Sequence, residues 1–253
     1  MTFSGVRLDE VLGGRDNNLN LIRMIAAMVV LVSHAFPITL GAGAEEPLYA
    51  MTGQSLGHYA VAIFFVISGF VIALSLFRDL DAGRFSLSGF FARRALRILP
   101  ALTAVLLGTL LVSLFMVPPL YFGAFADSLI AASLFFSNVH FWQASSYFNN
   151  DMPFRPLLHT WSLGVEEQFY LVWPWLLLGL LYVFARFRAR SDLRTRLIAG
   201  STIAVITIAS LGWALVQAVN EPTFAYFSTL TRAWELGIGA ILAVLAPLFV
   251  RLM

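Results

Sequence analysis

The feature that most constrains this chain is a series of nearly charge-free apolar runs, most of them 17–23 residues long, beginning with Leu19–Leu40. A helix of that length crosses a hydrocarbon layer of ~30 Å. The same length is excessive for the half-buried helices of a soluble domain. Composition agrees: 59% of the residues are hydrophobic and 12% charged, against about 45–50% and about 25% in soluble domains. The chain therefore reads as an all-α, polytopic transmembrane helical bundle. After Leu19–Leu40 the runs fall at about His58–Phe77, Ile98–Val117, Ser128–Trp142 (weaker), Phe169–Ala185, Leu197–Val219 and Ala233–Val250.

Missing residue types exclude whole chemistries. The chain has no Cys, and all 16 basic residues are Arg. That excludes disulfides, thiolate nucleophiles, Cys-ligated metals, a Walker A lysine and a Schiff-base lysine. No metal-ligating set is read. A net charge of +2 gives no reason to expect nucleic acid as a partner; the lipid bilayer is the partner the composition demands.

Arginine placement predicts orientation, because cytoplasmic loops retain basic residues. The stretches 79–96 and 186–196 are Arg-rich and are expected inside, together with the N-terminus. The stretches 41–57, 143–165 and 220–230 are expected outside. Counting crossings then shows that Ser128–Trp142 cannot span without placing Arg186–Arg196 outside. Its 15 residues suit a re-entrant or interfacial segment better. The expectation is six spans plus that segment. Ala42-Gly43-Ala44 resembles a signal-peptide cleavage site, but the long mixed-charge leader and Arg23 within the run favour an uncleaved first helix.

Ionisable groups in apolar runs cost about 2.5–3.5 kcal/mol on insertion scales and are site candidates by default. Arg23 and His34 are 11 residues apart, which is about 20° past three helical turns, so they share a face about 16 Å apart along the axis. Packing and snorkelling are the plain alternatives. Arg93, Arg94 and Arg97 precede Pro100, which fits the first turn of a helix. Three guanidiniums suit bidentate phosphate binding, although a topology signal explains them too. His159 to Gln168 is polar and aromatic at the expected outer mouth of a span. There Ser162 reads as a helix N-cap, with the following carboxylates Glu166 and Glu167 favourable near the positive end of the dipole. Arg232 and Glu235, at i and i+3, suit an ion pair as the last helix begins.

Five pieces occur in order: Arg23-x10-His34; Phe64-Phe65-Val66-Ile67-Ser68-Gly69-Phe70; Arg93-Arg94-Ala95-Leu96-Arg97-Ile98-Leu99-Pro100; His159-Thr160-Trp161-Ser162-Leu163-Gly164-Val165-Glu166-Glu167-Gln168-Phe169-Tyr170; and Arg232-Ala233-Trp234-Glu235-Leu236-x-x-Gly239. Together they resemble the acyltransferase family 3 membrane proteins, which include O-antigen and peptidoglycan O-acetylases. The resemblance covers essentially the whole chain. It implies transfer of an acyl group, expected to be acetyl, from acyl-CoA to a hydroxyl of a cell-envelope carbohydrate. No cofactor is bound on this reading; acyl-CoA is a co-substrate, and the setting is a bacterial inner membrane. The family's R-x10-H motif maps to Arg23 and His34, with His34 as the catalytic base. Its RxxR motif maps to Arg94 and Arg97, beside Arg93, and its S-L-x-x-E motif to Ser162, Leu163 and Glu166. His159, Glu167, Arg232 and Glu235 are supporting or acceptor-side candidates. The family's fold has some ten helices, so residues 1–253 are expected to form one membrane acyltransferase domain lacking the C-terminal helices.

Acyl transfer to an alcohol needs a base and donors for a developing oxyanion. His34 would deprotonate the acceptor or carry the acyl group transiently, two roles the sequence does not separate. Arg93, Arg94 and Arg97 would meet the CoA phosphates inside, and Glu166 would sit at the outer mouth. The rival class is a secondary transporter or proton-coupled carrier with intramembrane His, Arg and Glu; its hydropathy repeats are not found.

Overall fold

The computed structural model describes residues 18–40, 47–147, 155–185 and 193–252. The leader 1–17, Ala42-Gly43-Ala44 and Arg186–Arg190 lie outside the described residues. Among the described residues all regular elements are helical. They are α1 (Asn18–Leu40), α2 (Pro47–Thr52), α3 (Leu56–Asp81), α4 (Leu87–Met116), α5 (Phe122–Ser133), α6 (Ser137–Tyr147), α7 (Trp161–Ala185), α8 (Leu193–Asn220), α9 (Pro222–Phe227) and α10 (Thr229–Leu252), with 3-10 turns at Pro119–Tyr121 and Leu158–Thr160.

Four stretches are long and apolar enough to cross a membrane: Leu56–Leu80, Leu87–Met116, Gly200–Asn220 and Pro222–Ala246. The helical Leu19–Ala35 is apolar but shorter. On α4 and α8, large apolar side chains such as Leu111, Phe115, Ile208 and Leu215 stand exposed. Such a surface is stable against lipid tails and not against water.

The chain divides into two compact units. The first comprises Met1–Leu74, Arg196–Ala204 and Glu235–Met253. Here α3 and α10 cross at two glycines. A Cβ on Gly69 would lie 2.7 Å from the carbonyl carbon and 2.8 Å from the Cα of Leu236. A Cβ on Gly239 would lie 2.6 Å from the Phe70 nitrogen and overlap the Val66 carbonyl oxygen. Only glycine permits backbones this close, the small-residue packing that membrane helices use in place of hydrophobic drive. Phe65, Ala73, Leu236 and Ala240 are fully buried around the crossing. In the same unit Ser33 Oγ accepts from the Gly57 N–H at 3.1 Å, tying α1 to the free donors at the start of α3.

The second unit comprises Ser75–Thr195 and Val205–Trp234. Here α4 corrects the sequence reading. It begins at Leu87, so Arg93, Arg94 and Arg97 lie in the helix rather than a loop, and Pro100 is internal. The reason is Ser86, whose Oγ accepts from Gly89 N at 3.3 Å and caps the helix upstream. Internal proline is tolerable in membrane helices.

The Ser128–Trp142 region divides into α5 and α6, of 12 and 11 residues. Each is about 18 Å long or less and cannot span. They break at Phe135, a non-glycine residue at φ 59°. His140 Nε2 meets Ser128 Oγ at 3.3 Å across the break. A polar knot secures it further. Gln168 Nε2 donates to the Phe135 carbonyl (2.9 Å) and Asn138 Oδ1 (2.8 Å). Asn138 Nδ2 donates to the Phe227 carbonyl at 3.1 Å, and Thr229 Oγ1 donates to Gln168 Oε1 at 2.5 Å. The knot thus joins α6, α7 and the start of α10 around an otherwise strained turn.

Candidate functional site

Each group of candidate residues is defined within its own unit. In the first unit α1 carries Arg23, half-buried, and His34, exposed. The His34 Nδ1 lies 2.8 Å from the Val30 carbonyl oxygen. A carbonyl only accepts, so Nδ1 carries the proton and donates it. In the neutral ring this leaves Nε2 as a free lone pair, the form required of a proton acceptor. The same geometry recurs in the second unit at His159, whose Nδ1 donates to the Pro156 carbonyl at 3.0 Å.

In the second unit the three arginines of α4 separate into three environments. Arg93 is paired with Asp79 at 2.5 Å, and Asp79 also holds Arg84 at 3.4 Å. Arg97 is exposed. Arg94 turns inward: its guanidinium carbon lies 3.4 Å from the centroid of the Tyr170 ring. Tyr170, 2% exposed, donates its hydroxyl to Glu166 Oε2 at 3.1 Å. Two atoms of the set are buried without a hydrogen-bond partner, Arg94 Nε and Glu167 Oε1.

This corrects the expected separation of Arg94 from Glu166. Sequence topology puts them on opposite sides of the membrane; the structure links them through one tyrosine. The physical reason is that α4 starts earlier than its apolar run, so Arg94 is carried in a helix body, where side chains pack, and meets Tyr170 of α7. Ser162 is corrected as well. The 3-10 turn Leu158–Thr160 leads directly into α7, and Ser162 Oγ donates back to the His159 carbonyl at 3.4 Å. The preceding turn, not a serine cap, satisfies this helix start.

Arg232 and Glu235 are both buried near the start of α10. The Arg232 guanidinium lies 5.5 Å from each of the Trp161 and Tyr226 ring centroids, within cation–π range.

Chemically, the Arg94 set is an aromatic-backed guanidinium with two carboxylates, suited to orienting an anionic or oxyanionic group. Several contributors escape sequence reasoning. Tyr170 ends a quoted motif yet carries no signal distinguishing it from an interfacial aromatic. Asp79 reads as one more charge of the 79–96 stretch, and nothing in the sequence pairs Gln168 with Asn138. Only Gly164, whose added Cβ would meet Asn138 Oδ1 at 3.0 Å, hints in the sequence that α7 is closely approached.

Comparison with known proteins bears on the whole chain. The family model described as an acyltransferase domain matches residues 16–250. O-acetyltransferase OatA of Staphylococcus aureus (strain NCTC 8325 / PS 47) is 32% identical over 207 residues, covering 80% of this chain and 32% of the relative. Peptidoglycan O-acetyltransferase OatA of Listeria monocytogenes is 32% identical over 195 residues, covering 76% of this chain and 30% of the relative. The putative peptidoglycan O-acetyltransferase YrhL of Bacillus subtilis is 32% identical over 198 residues, covering 76% and 29%. The chain thus spans about a third of the length of the curated relatives it matches. No solved structure matches. With its four long apolar helices, the chain is an integral membrane protein.

Proposed function

Because the chain belongs to the acyltransferase domain family, we propose that it transfers an acetyl group to a hydroxyl of a cell-envelope carbohydrate of the peptidoglycan kind. Acyl-CoA is the donor, met on the cytoplasmic side of a bacterial inner membrane, with the N-terminus also inside. The reading draws on the family match and on relatives named as O-acetyltransferases. The same match favours an enzyme over a carrier.

The observation that carries the chemistry is the His34 tautomer. With Nδ1–H held by the Val30 carbonyl, Nε2 accepts the proton of the acceptor hydroxyl. The alkoxide oxygen attacks the acyl carbonyl carbon, the C–S bond breaks, and the imidazolium returns its proton to the leaving thiolate. The Val30 carbonyl stabilises that imidazolium by keeping its acceptor role throughout. Arg23, on the same helix, orients the acyl end of the donor. Arg94 serves the donor phosphates, held in place by the Tyr170 ring and by Glu166 behind it. Arg97, exposed, adds charge for the phosphates, whereas Arg93 is already neutralised by Asp79.

The test is His34→Gln in the full-length protein, at equal membrane abundance, with envelope acetylation read by mass spectrometry. Glutamine hydrogen-bonds but takes no proton at neutral pH. Loss of the base predicts a rate lower by about 10²–10⁴-fold. Near-normal acetylation removes His34 from the mechanism. Membranes given isotopically labelled acetyl-CoA then report the donor, since label reaching the glycan requires it.

A further inference from the structure

A cavity of about 450 Å³ opens in the second unit, lined by Trp142, Gln143, Glu221, Pro222, Thr223 and Phe224 and by no member of the Arg94 set. Its volume lies in the range of about 300–1,000 Å³ usual for small-molecule clefts. We propose that this cavity is a docking subsite for one or more pyranose rings of the carbohydrate acceptor. The proposal rests on the reading above for the identity of the ligand, but not for the existence of the site.

The lining chemistry selects the ligand class. Trp142 and Phe224 meet edge to face, with centroids 4.9 Å apart and planes at 67°. This fixes both rings by mutual packing and leaves rigid aromatic surface at the cavity wall. A pyranose offers such a surface its C–H face. Around the aromatics stand a carboxylate, an amide and a hydroxyl, from Glu221, Gln143 and Thr223. Together they accept from and donate to a ring of hydroxyls and acetamido groups. Among the described residues no basic side chain lines the cavity, and Glu221 brings a negative charge. A phosphate, a CoA moiety or an anionic lipid headgroup is therefore disfavoured, and a neutral polyol is not.

Two segments far apart in sequence, the middle of α6 and the start of α9, contribute to this one cavity.

The experiment uses the full chain in lipid nanodiscs, avoiding detergents with sugar headgroups. The probe is a linear pentasaccharide of N-acetylglucosamine, titrated by calorimetry and by saturation-transfer NMR. Saturable binding is expected in the native chain. Trp142→Ala should weaken it at least tenfold. Glu221→Gln and Thr223→Val, at exposed positions where folding is not at stake, should each weaken it several-fold. Acetyl-CoA affinity should be unchanged in all three. His34→Gln should bind the pentasaccharide normally, because it touches chemistry and not docking. An active His34→Gln with sugar binding still lost in Trp142→Ala would overturn the catalytic reading and leave the subsite standing. Absence of binding in the native chain overturns the subsite, as does undiminished binding in both Trp142→Ala and Glu221→Gln.

Discussion

Adding a single methyl group to the α3–α10 crossing tests whether Gly69 and Gly239 serve packing. A Cβ on Gly69 would overlap the Leu236 carbonyl oxygen and sit 2.7–2.8 Å from the Leu236 carbonyl carbon and Cα, where ordinary contact is 3.4–4 Å. The helices must therefore part by more than about 1 Å, which forfeits at least a quarter to a half of the dispersion energy of each contact across the seam. Overpacking of this kind costs about 1–3 kcal/mol. Against it, alanine gains up to about 1 kcal/mol over glycine in a helix. Gly69→Ala should thus destabilise by about 1–2 kcal/mol. Gly108 on α4 has nothing within 4 Å of its built Cβ, so Gly108→Ala should be neutral or stabilise by up to about 1 kcal/mol. One chemical change is expected to act with opposite signs at two sites. Gly69→Ala/Gly239→Ala should cost less than the sum of the single changes, since one separation of the helices relieves both clashes. Denaturant titration in nanodiscs, followed by tryptophan fluorescence, measures all four variants. Equal effects at Gly69 and Gly108, or strict additivity of the pair, would refute the crossing geometry.

Three further outcomes are expected. Tyr170→Phe keeps a ring beneath Arg94 and should leave donor affinity near normal, whereas Tyr170→Leu should weaken it by about 1–2 kcal/mol, the worth of a desolvated cation–π contact; if Phe is as damaging as Leu in a CoA titration, the hydroxyl positions Arg94 and the ring does not. Gln168→Leu strips partners from Asn138, Thr229 and the Phe135 carbonyl and should destabilise by roughly 2 kcal/mol, three buried or half-buried groups at about 0.6 kcal/mol each in a membrane setting; an unchanged unfolding midpoint would show the knot to be dispensable. Ser191→Cys is a clean topology probe because the chain has no Cys; it should resist an impermeant thiol reagent applied from outside, and labelling there reverses the proposed orientation.

The helical class and the main apolar helices were legible in the sequence because a membrane makes hydropathy a local property. Each run must satisfy its own backbone whatever its neighbours do. The short pair α5–α6 was legible for a related reason: too few apolar residues to span, whatever they pack against. The start of α4 was not legible, because Ser86 acts through local geometry that hydropathy averages away. That error moved Arg94 from a loop into a helix and concealed its meeting with Tyr170.

The arginines of α4 show where the remaining information lies. Arg93, Arg94 and Arg97 are one residue type within five positions, and a positive-inside argument weighs them equally. The structure does not: Asp79 neutralises Arg93, Tyr170 takes Arg94 inward, and Arg97 remains exposed. Their periodicity gives the direction of each side chain from the helix axis but not what waits there. Asp79 arrives from the end of α3, and Tyr170 from a helix more than seventy residues downstream. A charge pattern thus reports the membrane's demand on the chain, which is shared by all three. Function depends on the difference between them, and tertiary pairing alone sets that difference. Arg94 is therefore the arginine whose loss should alter donor handling without altering topology, since Arg93 and Arg97 still supply the basic flank.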